Sequence, residues 1–282
     1  MMVQSAPSGE AHFISSMAEH NELCAAFARA FGNDKFERLE PVEQMIYVVG
    51  HHDRGWDEWD SSPALDPKSG LPCGLATTPP PDAIATSWKS PDFNERHHPY
   101  CGLLSSMHSW GLYNARYGFS EFRVRRGGST SIPINPDFEK ETHKMLEGEL
   151  ARQERLKKEL AADPDTREWV EQTHLVQNYK QLQFFDTLAL YFNLRHAGEH
   201  EEETYAYVPM GRDTDSKVTL APLGDGVYSL DPFPFAGDGL EVRSKGRYMT
   251  PMKPTDAPSD LGDYLRGLEM TEQTFTFVPA KA

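Results

Sequence analysis

Apolar residues recur every three or four positions along most of the first 195 residues, which is the spacing of one face of an α-helix. Residues 60–99 are instead rich in proline and glycine, so we expect a long loop there. The other segments are predicted to be helices, with these approximate bounds: 14–31, Pro41 to Gly55, Pro99 to Tyr117, 137–160 and 166–195.

After residue 203 the pattern changes to short β-like runs that are separated by glycine and proline turns. The runs are 218–220, 227–230, 240–242, 247–249 and 275–278, with one short helix predicted over about 259–270. We therefore predict a mainly α protein, with an all-α bundle of about five to seven helices in residues 1–202. A smaller β-rich extension is expected in residues 203–282.

Four of the predicted helices carry a histidine or an aspartate within their apolar stripe. His20 interrupts the stripe of the first helix, and His52 and Asp53 continue that of the second. His108 and Asp186 occupy equivalent positions in the third and the last long helix. A single such residue is usually satisfied by its neighbours in the core. Burying all five is costly unless they share a partner, and imidazole and carboxylate are ligands of Fe, Mn and Zn. The sequence therefore predicts a metal site.

The order His, His-Asp, His, Asp on successive helices resembles the HD superfamily of metal-dependent enzymes. In that superfamily the second helix ends in His-Asp-x-Gly, and this chain reads His52-Asp53-Arg54-Gly55. More closely, the chain resembles an uncharacterised bacterial family that is grouped with the superfamily as a domain of unknown function. The segments that carry this closer resemblance are 18–33, 52–72, 100–113, 181–192 and 231–235.

The resemblance implies a ligand set for two divalent ions, with Fe or Mn expected first and Zn, Mg or Co as alternatives. Asp53 would bridge the two ions and, with His52, be catalytic. A full dinuclear site needs one more histidine before the last one; His98 is the first candidate and His97 the next, and a mononuclear enzyme remains without it. The expected metal ligands are His20, His52, Asp53, His98, His108 and Asp186.

The resemblance also implies a metal-dependent hydrolase, in first place a phosphohydrolase that attacks a small phosphorylated or nucleotide-like substrate through a metal-activated water. The alternative is a di-iron oxygenase that oxidises a small organic molecule with O₂, and a non-enzymatic metal protein ranks last. Many HD phosphohydrolases carry a lysine where this chain has Trp56, which favours the oxygenase. The expected substrate contacts are Arg54, Trp56, Trp59, Trp110 and Gln183.

Charge and composition limit the partners. The formal net charge is −15, which repels phosphate backbones, so we expect no nucleic-acid partner. No apolar stretch is long enough to span a membrane, and the first 20 residues do not resemble a signal peptide. The three cysteines show no paired spacing, which favours a reducing cytoplasm. A small-molecule substrate is expected, and the oligomeric state stays open.

Overall fold

The computed structural model describes residues 1–114 and 132–281. Within these ranges the helices are α1 (Met17–Ala30), α2 (Val42–Val49), α3 (Asp57–Ser61), α4 (Pro80–His97), α5 (Pro99–Tyr113), α6 (Glu139–Ala162), α7 (Gln172–Leu194) and α8 (Leu261–Gly267). The strands are β1 (Met2–Val3), β2 (His12–Ser15), β3 (Glu203–Gly211), β4 (Thr214–Gly224), β5 (Val227–Asp231), β6 (Leu240–Met249) and β7 (Thr271–Pro279).

The helix starts follow from local chemistry. Ser16 caps α1, because its hydroxyl accepts a hydrogen bond from the Glu19 N–H at 3.2 Å. Proline lies in the first turn of both α4 and α5, where its missing N–H has no helical partner in any case. His98 lies between these two helices, and its Nδ1 accepts a hydrogen bond from the N–H of Tyr100 at 3.0 Å.

The strands form one mixed seven-stranded sheet in the order β1-β2-β6-β7-β5-β4-β3. Neighbouring strands run antiparallel except β5 and β7, which are parallel. The two N-terminal strands extend the sheet beyond β6, where Phe13 lies opposite Tyr248. The sheet is therefore assembled from both ends of the described chain.

The predicted fold class, a mainly α bundle with a small β-rich extension, is wrong, and so is the all-α description of the main domain. About 49% of the described residues are helical, and the sheet is a substantial second part of the fold. The error has a physical cause: β1 and β2 have two and four residues, too few to show a period of two. The domain boundary after residue 202 stays a prediction.

The proline-rich segment 60–99 was predicted to be a loop, but 18 of its residues form α4. The three consecutive prolines end at Pro81 and lie at the start of this helix rather than in a turn. Pro91 lies inside α4. It follows Ser90, where the turn that contains Gly55 packs against this helix. In this segment the prolines therefore mark the start of a helix, and the prediction of a long loop is wrong.

Aromatic contacts fix α1 and α7 against the sheet. The ring of Phe27 on α1 is 5.8 Å from that of Phe235 and 5.4 Å from that of Phe277 on β7. Phe192 on α7 packs 4.5 Å from Phe275 of the same strand. These contacts set the relative position of the two helices, each of which carries one of the inward polar residues. None of the described helices is long and apolar enough to span a membrane.

Candidate metal centre

Four structural elements bring five polar side chains together in the interior. His20 comes from α1, His108 from α5 and Asp186 from α7, while His52 and Asp53 lie in the turn that follows α2. All five residues are buried, and Asp53 is the most accessible at 8% exposure. The structure therefore brings together five of the six predicted ligands.

The His-Asp pair was predicted to lie on the second helix, but that helix ends at Val49. A turn and a short 3₁₀ segment, Arg54–Trp56, follow it. Gly55 lets this turn approach α4 closely: an added Cβ atom would lie 2.3 Å from the Thr86 carbonyl oxygen and 2.6 Å from the Ser90 nitrogen. The glycine of the His-Asp-x-Gly motif is thus explained by packing, because it holds the turn against α4.

The imidazole Nε2 atoms face the two carboxylates. Asp186 Oδ1 is 3.2 Å from Nε2 of His20 and 3.8 Å from Nε2 of His52. Asp53 places Oδ2 3.7 Å from His52 Nε2 and Oδ1 3.7 Å from His108 Nε2. Asp53 therefore lies between two histidines with one oxygen toward each, which is the arrangement of a bridging carboxylate.

The opposite ring nitrogens of the same histidines have other partners. Nδ1 of His20 donates to Asn193 Oδ1 at 2.9 Å, and Nδ1 of His52 donates to the Val49 carbonyl oxygen at 2.9 Å. The side-chain amide of Gln183 contacts Nδ1 of His108 at 2.9 Å. Metal-bound histidines typically donate their second N–H as His20 and His52 do here, and each of the three contacts fixes the orientation of its ring.

His52 has a buried ring nitrogen that lacks a hydrogen bond. Its Nε2 is buried and has no hydrogen-bond partner among the described residues. Burial opposes a charge on this ring, but Asp53 and Asp186 outweigh that effect and raise the pKa of His52 to about 8. A buried polar atom without a partner is costly, and a cation between His52 and the two carboxylates would satisfy all three.

Cys24 is a member of the cluster that the sequence reasoning did not single out as a ligand. Its Sγ lies 3.6 Å from Nε2 of His20, one helical turn earlier on α1. The groups His20, Cys24, His52 and His52, Asp53, His108 each place possible ligand atoms within 4.8 Å of one another. Burial and the nearby charges of Asp186 and Asp53 raise the pKa of the Cys24 thiol well above its usual value. The thiol is therefore protonated in the absence of a cation.

The structure does not bring His98 to the centre. Besides accepting from Tyr100, its ring packs 5.7 Å from that of Trp169, and it precedes His108 by almost three helical turns of α5. The next candidate, His97, is exposed and stacks on Tyr47. The prediction that the loop before Pro99 folds back over the site is wrong because that segment is itself helical.

A cavity of about 260 Å³ reaches the centre at Asp53, His108 and Asp186. Of the five predicted substrate contacts, Trp56 lines it, and the other four are absent from its described wall. The remaining described lining residues are Met2, Leu75, Ala76, Thr78, Pro80, Ala83, Ile84, Ser87, Ser109, Leu112, Tyr113, Ile132, Pro133, Asn135, Thr142 and Leu190.

The four other predicted contacts lie elsewhere. Arg54 pairs with Asp57 at 2.7 Å. Trp59 packs in a small apolar cluster beside the cavity, and Trp110 lies near the end of α5. Gln183 contacts the His108 ring, which makes it a positioning residue for that histidine. The sequence motif of Arg123, Arg125 and Arg126, a candidate anion contact or solvated strand edge, lies outside the described residues.

The chain belongs to the family described as "Protein of unknown function (DUF3891)", whose model matches residues 1–251. No curated protein and no solved structure gives a match. The predicted membership of a family of unknown function is thereby confirmed. The buried His, Cys and Asp groups described above could bind a metal.

Proposed function

We propose that this protein is a metal-dependent hydrolase of the HD type. The first divalent ion would be held by two histidines and two aspartates, and a second, weaker ion by Asp53 and His108. The residues of the primary site are His20, His52, Asp53 and Asp186. Membership of the HD superfamily is part of this proposal.

The observation that carries the proposal is the shared orientation of the three imidazole rings. Each turns Nδ1 outward to a protein partner and Nε2 inward to a carboxylate. Histidines buried for packing alone have no reason to share this orientation from three separate elements. The neutral imidazole and carboxylate donors also suit Fe, Mn or Zn, and we expect Fe or Mn first.

The second ion is expected to bind less tightly. Asp53 turns one oxygen toward His108, but the described residues add no further histidine there, because His98 caps α5. One tight ion per chain and a weaker second one are therefore expected. An incomplete second position also leaves room for substrate, as catalytic metal sites require.

A divalent ion at this centre supplies two kinds of help: it lowers the pKa of a bound water and polarises an oxygen of the substrate. The chain's own contribution is to orient and to desolvate. Asn193 and Gln183 fix two of the rings, and Asp53, which is 8% exposed, lines the cavity. Asp53, which lies between His52 and His108 with one oxygen toward each, would hold both ions at the inner end of the cavity.

A second candidate function, a di-iron oxygenase acting on a small organic molecule, is favoured by the cavity wall. Trp56 is 7% exposed and faces the cavity at the position where a phosphohydrolase of this type carries lysine. The described wall has no lysine or arginine to neutralise a phosphate. The two functions differ in metal and co-substrate, so they can be separated directly.

Elemental analysis of tag-free protein, and of His52→Ala and His98→Ala variants, tests the proposal. Wild type and His98→Ala are expected to hold about one tightly bound metal per chain, and His52→Ala almost none. Metal-loaded protein is then assayed for hydrolysis of p-nitrophenyl phosphate and of p-nitrophenyl acetate, and for O₂ consumption with candidate organic substrates. Full metal content in His52→Ala, or no metal in reconstituted wild type, would overturn the site. Metal binding without hydrolysis but with O₂ consumption would favour the oxygenase.

A further inference from the structure

The wall of the cavity beside the centre is mainly apolar. Large apolar side chains cover most of it, including Met2, Trp56, Ile84 and Leu190. Among the residues that the structure describes, the charged groups on the wall are Asp53 and Asp186, together with the titratable ring of His108. The formal charge that residues 1–114 and 132–281 place on this wall is therefore negative.

Three of the hydroxyl groups on the wall are already engaged. Thr78 donates to the Gly74 carbonyl oxygen at 2.9 Å, Ser87 to that of Ala83 at 2.9 Å and Thr142 to that of Phe138 at 2.8 Å. A hydroxyl has one proton to donate, so these three offer a ligand no further donor. Ser109, Tyr113 and Asn135 also line the cavity and can meet one polar group of a ligand. An ionic ligand would lose its whole hydration shell on a wall that is otherwise mainly apolar.

A single bound divalent ion does not make the cavity attractive to a phosphate. The tight ion alone would cancel the charges of the two aspartates, so a net positive charge arises only when the weaker second position is also filled. Phosphate sites in proteins usually add arginine, lysine or a helix N-terminus to the metal. The described wall supplies neither basic side chain. The start of α4 does reach the wall, but its first two residues are Pro80 and Pro81, which have no N–H to donate.

The size of the cavity sets a further limit. Its volume of about 260 Å³ lies just below the roughly 300–1,000 Å³ of sites for drug-sized ligands. An apolar cavity of about 150 Å³ is enough for benzene. This volume matches a ligand with one small ring or a short branched chain.

We propose that this cavity binds a small, uncharged, mainly apolar organic molecule whose single polar end faces Asp53 and His108, and that this is the substrate class of the enzyme. The proposal rests on the function proposed above. It replaces the phosphorylated substrate that the resemblance implies with a neutral one that a hydrolase can cleave, such as a small carboxylic ester.

Calorimetric titration with a matched pair of probes tests the inference. Benzyl alcohol and benzyl phosphate share one apolar body and differ in charge. We expect benzyl alcohol to bind both metal-free and metal-loaded protein, at least tenfold more tightly than benzyl phosphate or inorganic phosphate. Ala83→Phe, which fills the cavity from α4, should weaken benzyl alcohol at least tenfold and leave the metal content unchanged. Ala85→Phe, on the same helix but outside the cavity wall, is the matched control.

The outcomes separate this inference from the proposed function. Benzyl alcohol binding that Ala83→Phe abolishes, in a protein that takes up no metal, would support the cavity assignment and refute the metalloenzyme. Tighter binding of benzyl phosphate than of benzyl alcohol to the metal-loaded protein would overturn the inference and leave the metal centre standing. Absence of benzyl alcohol binding, or equal weakening by Ala83→Phe and Ala85→Phe, would also overturn it.

Discussion

Replacement of Asn193 by leucine tests the metal centre without touching a proposed ligand. Asn193 Oδ1 accepts the Nδ1 proton of His20 at 2.9 Å, and its nitrogen donates to Ser244 at 3.3 Å. Loss of an outer partner of a metal-bound histidine typically costs 10–100-fold in metal affinity. This corresponds to about 1.4–2.7 kcal/mol of binding free energy. We expect Asn193→Leu to weaken the tight ion by this factor.

Asn178→Leu is the matched control, since it removes a second buried amide from the same helix. Asn178 donates to the Glu40 carbonyl oxygen and to the Tyr100 hydroxyl, both at 2.7 Å, away from the centre. Each variant leaves buried polar groups unpaired, so each should lose about 1–3 kcal/mol of unfolding free energy. The two variants are therefore similar in stability cost and differ in their effect on the metal.

Competition for Mn²⁺ or Zn²⁺ against a chromophoric chelator measures the affinity, and urea unfolding measures the stability. Asn193→Asp keeps an acceptor for the His20 ring and should restore most of the affinity. If folded Asn193→Leu binds metal as tightly as wild type, His20 is not a ligand through Nε2. If Asn178→Leu weakens the metal equally, the effect is general destabilisation and the reasoning fails.

Two further predictions concern packing and burial. Gly55→Ala should lower the unfolding free energy by about 1–3 kcal/mol and weaken metal binding, because the new Cβ would collide with α4. Gly267→Ala, which meets nothing within 4 Å, should change neither, and an unaltered Gly55→Ala would contradict the packing argument. Burial raises the pKa of Glu149 to about 7, so folding favours its protonated form and stability is lost as pH rises from about 4.5 to 7. Glu149→Gln should remove this dependence, on the order of 3 kcal/mol, in urea unfolding followed against pH, whereas the exposed neighbour variant Glu147→Gln should keep it.

The centre was largely predictable because its signal is local. His20, His108 and Asp186 each lie three or four residues from apolar neighbours on their own helix, so their inward direction follows from helical spacing alone. His52 and Asp53 lie beyond the end of α2, but the turn that follows keeps them pointing inward. The convergence of these residues required no knowledge of strand pairing.

The sheet was less predictable because its pairing is long-range. β2 pairs with β6 across more than 230 residues of sequence, and nothing in the segment His12–Ser15 indicates that partner. Composition also misled the interpretation of α4, since proline marks a turn in some contexts and the first turn of a helix in others. His98 was misplaced for the same reason: its assignment depended on a loop that the chain does not form.

The spacing of polar residues on α7 also indicates which residues orient the histidines of the centre. On α7, Gln183, Asp186 and Asn193 are separated by three and seven residues, which places them on one face of the helix. Asp186 faces two of the histidines directly, while Gln183 and Asn193 contact the rings of His108 and His20. A single helix therefore supplies a proposed ligand and the orientation of two others. Three polar residues on one face of a helix that is buried on nearly every side indicate such a role, because each needs a buried polar partner and the centre provides all three.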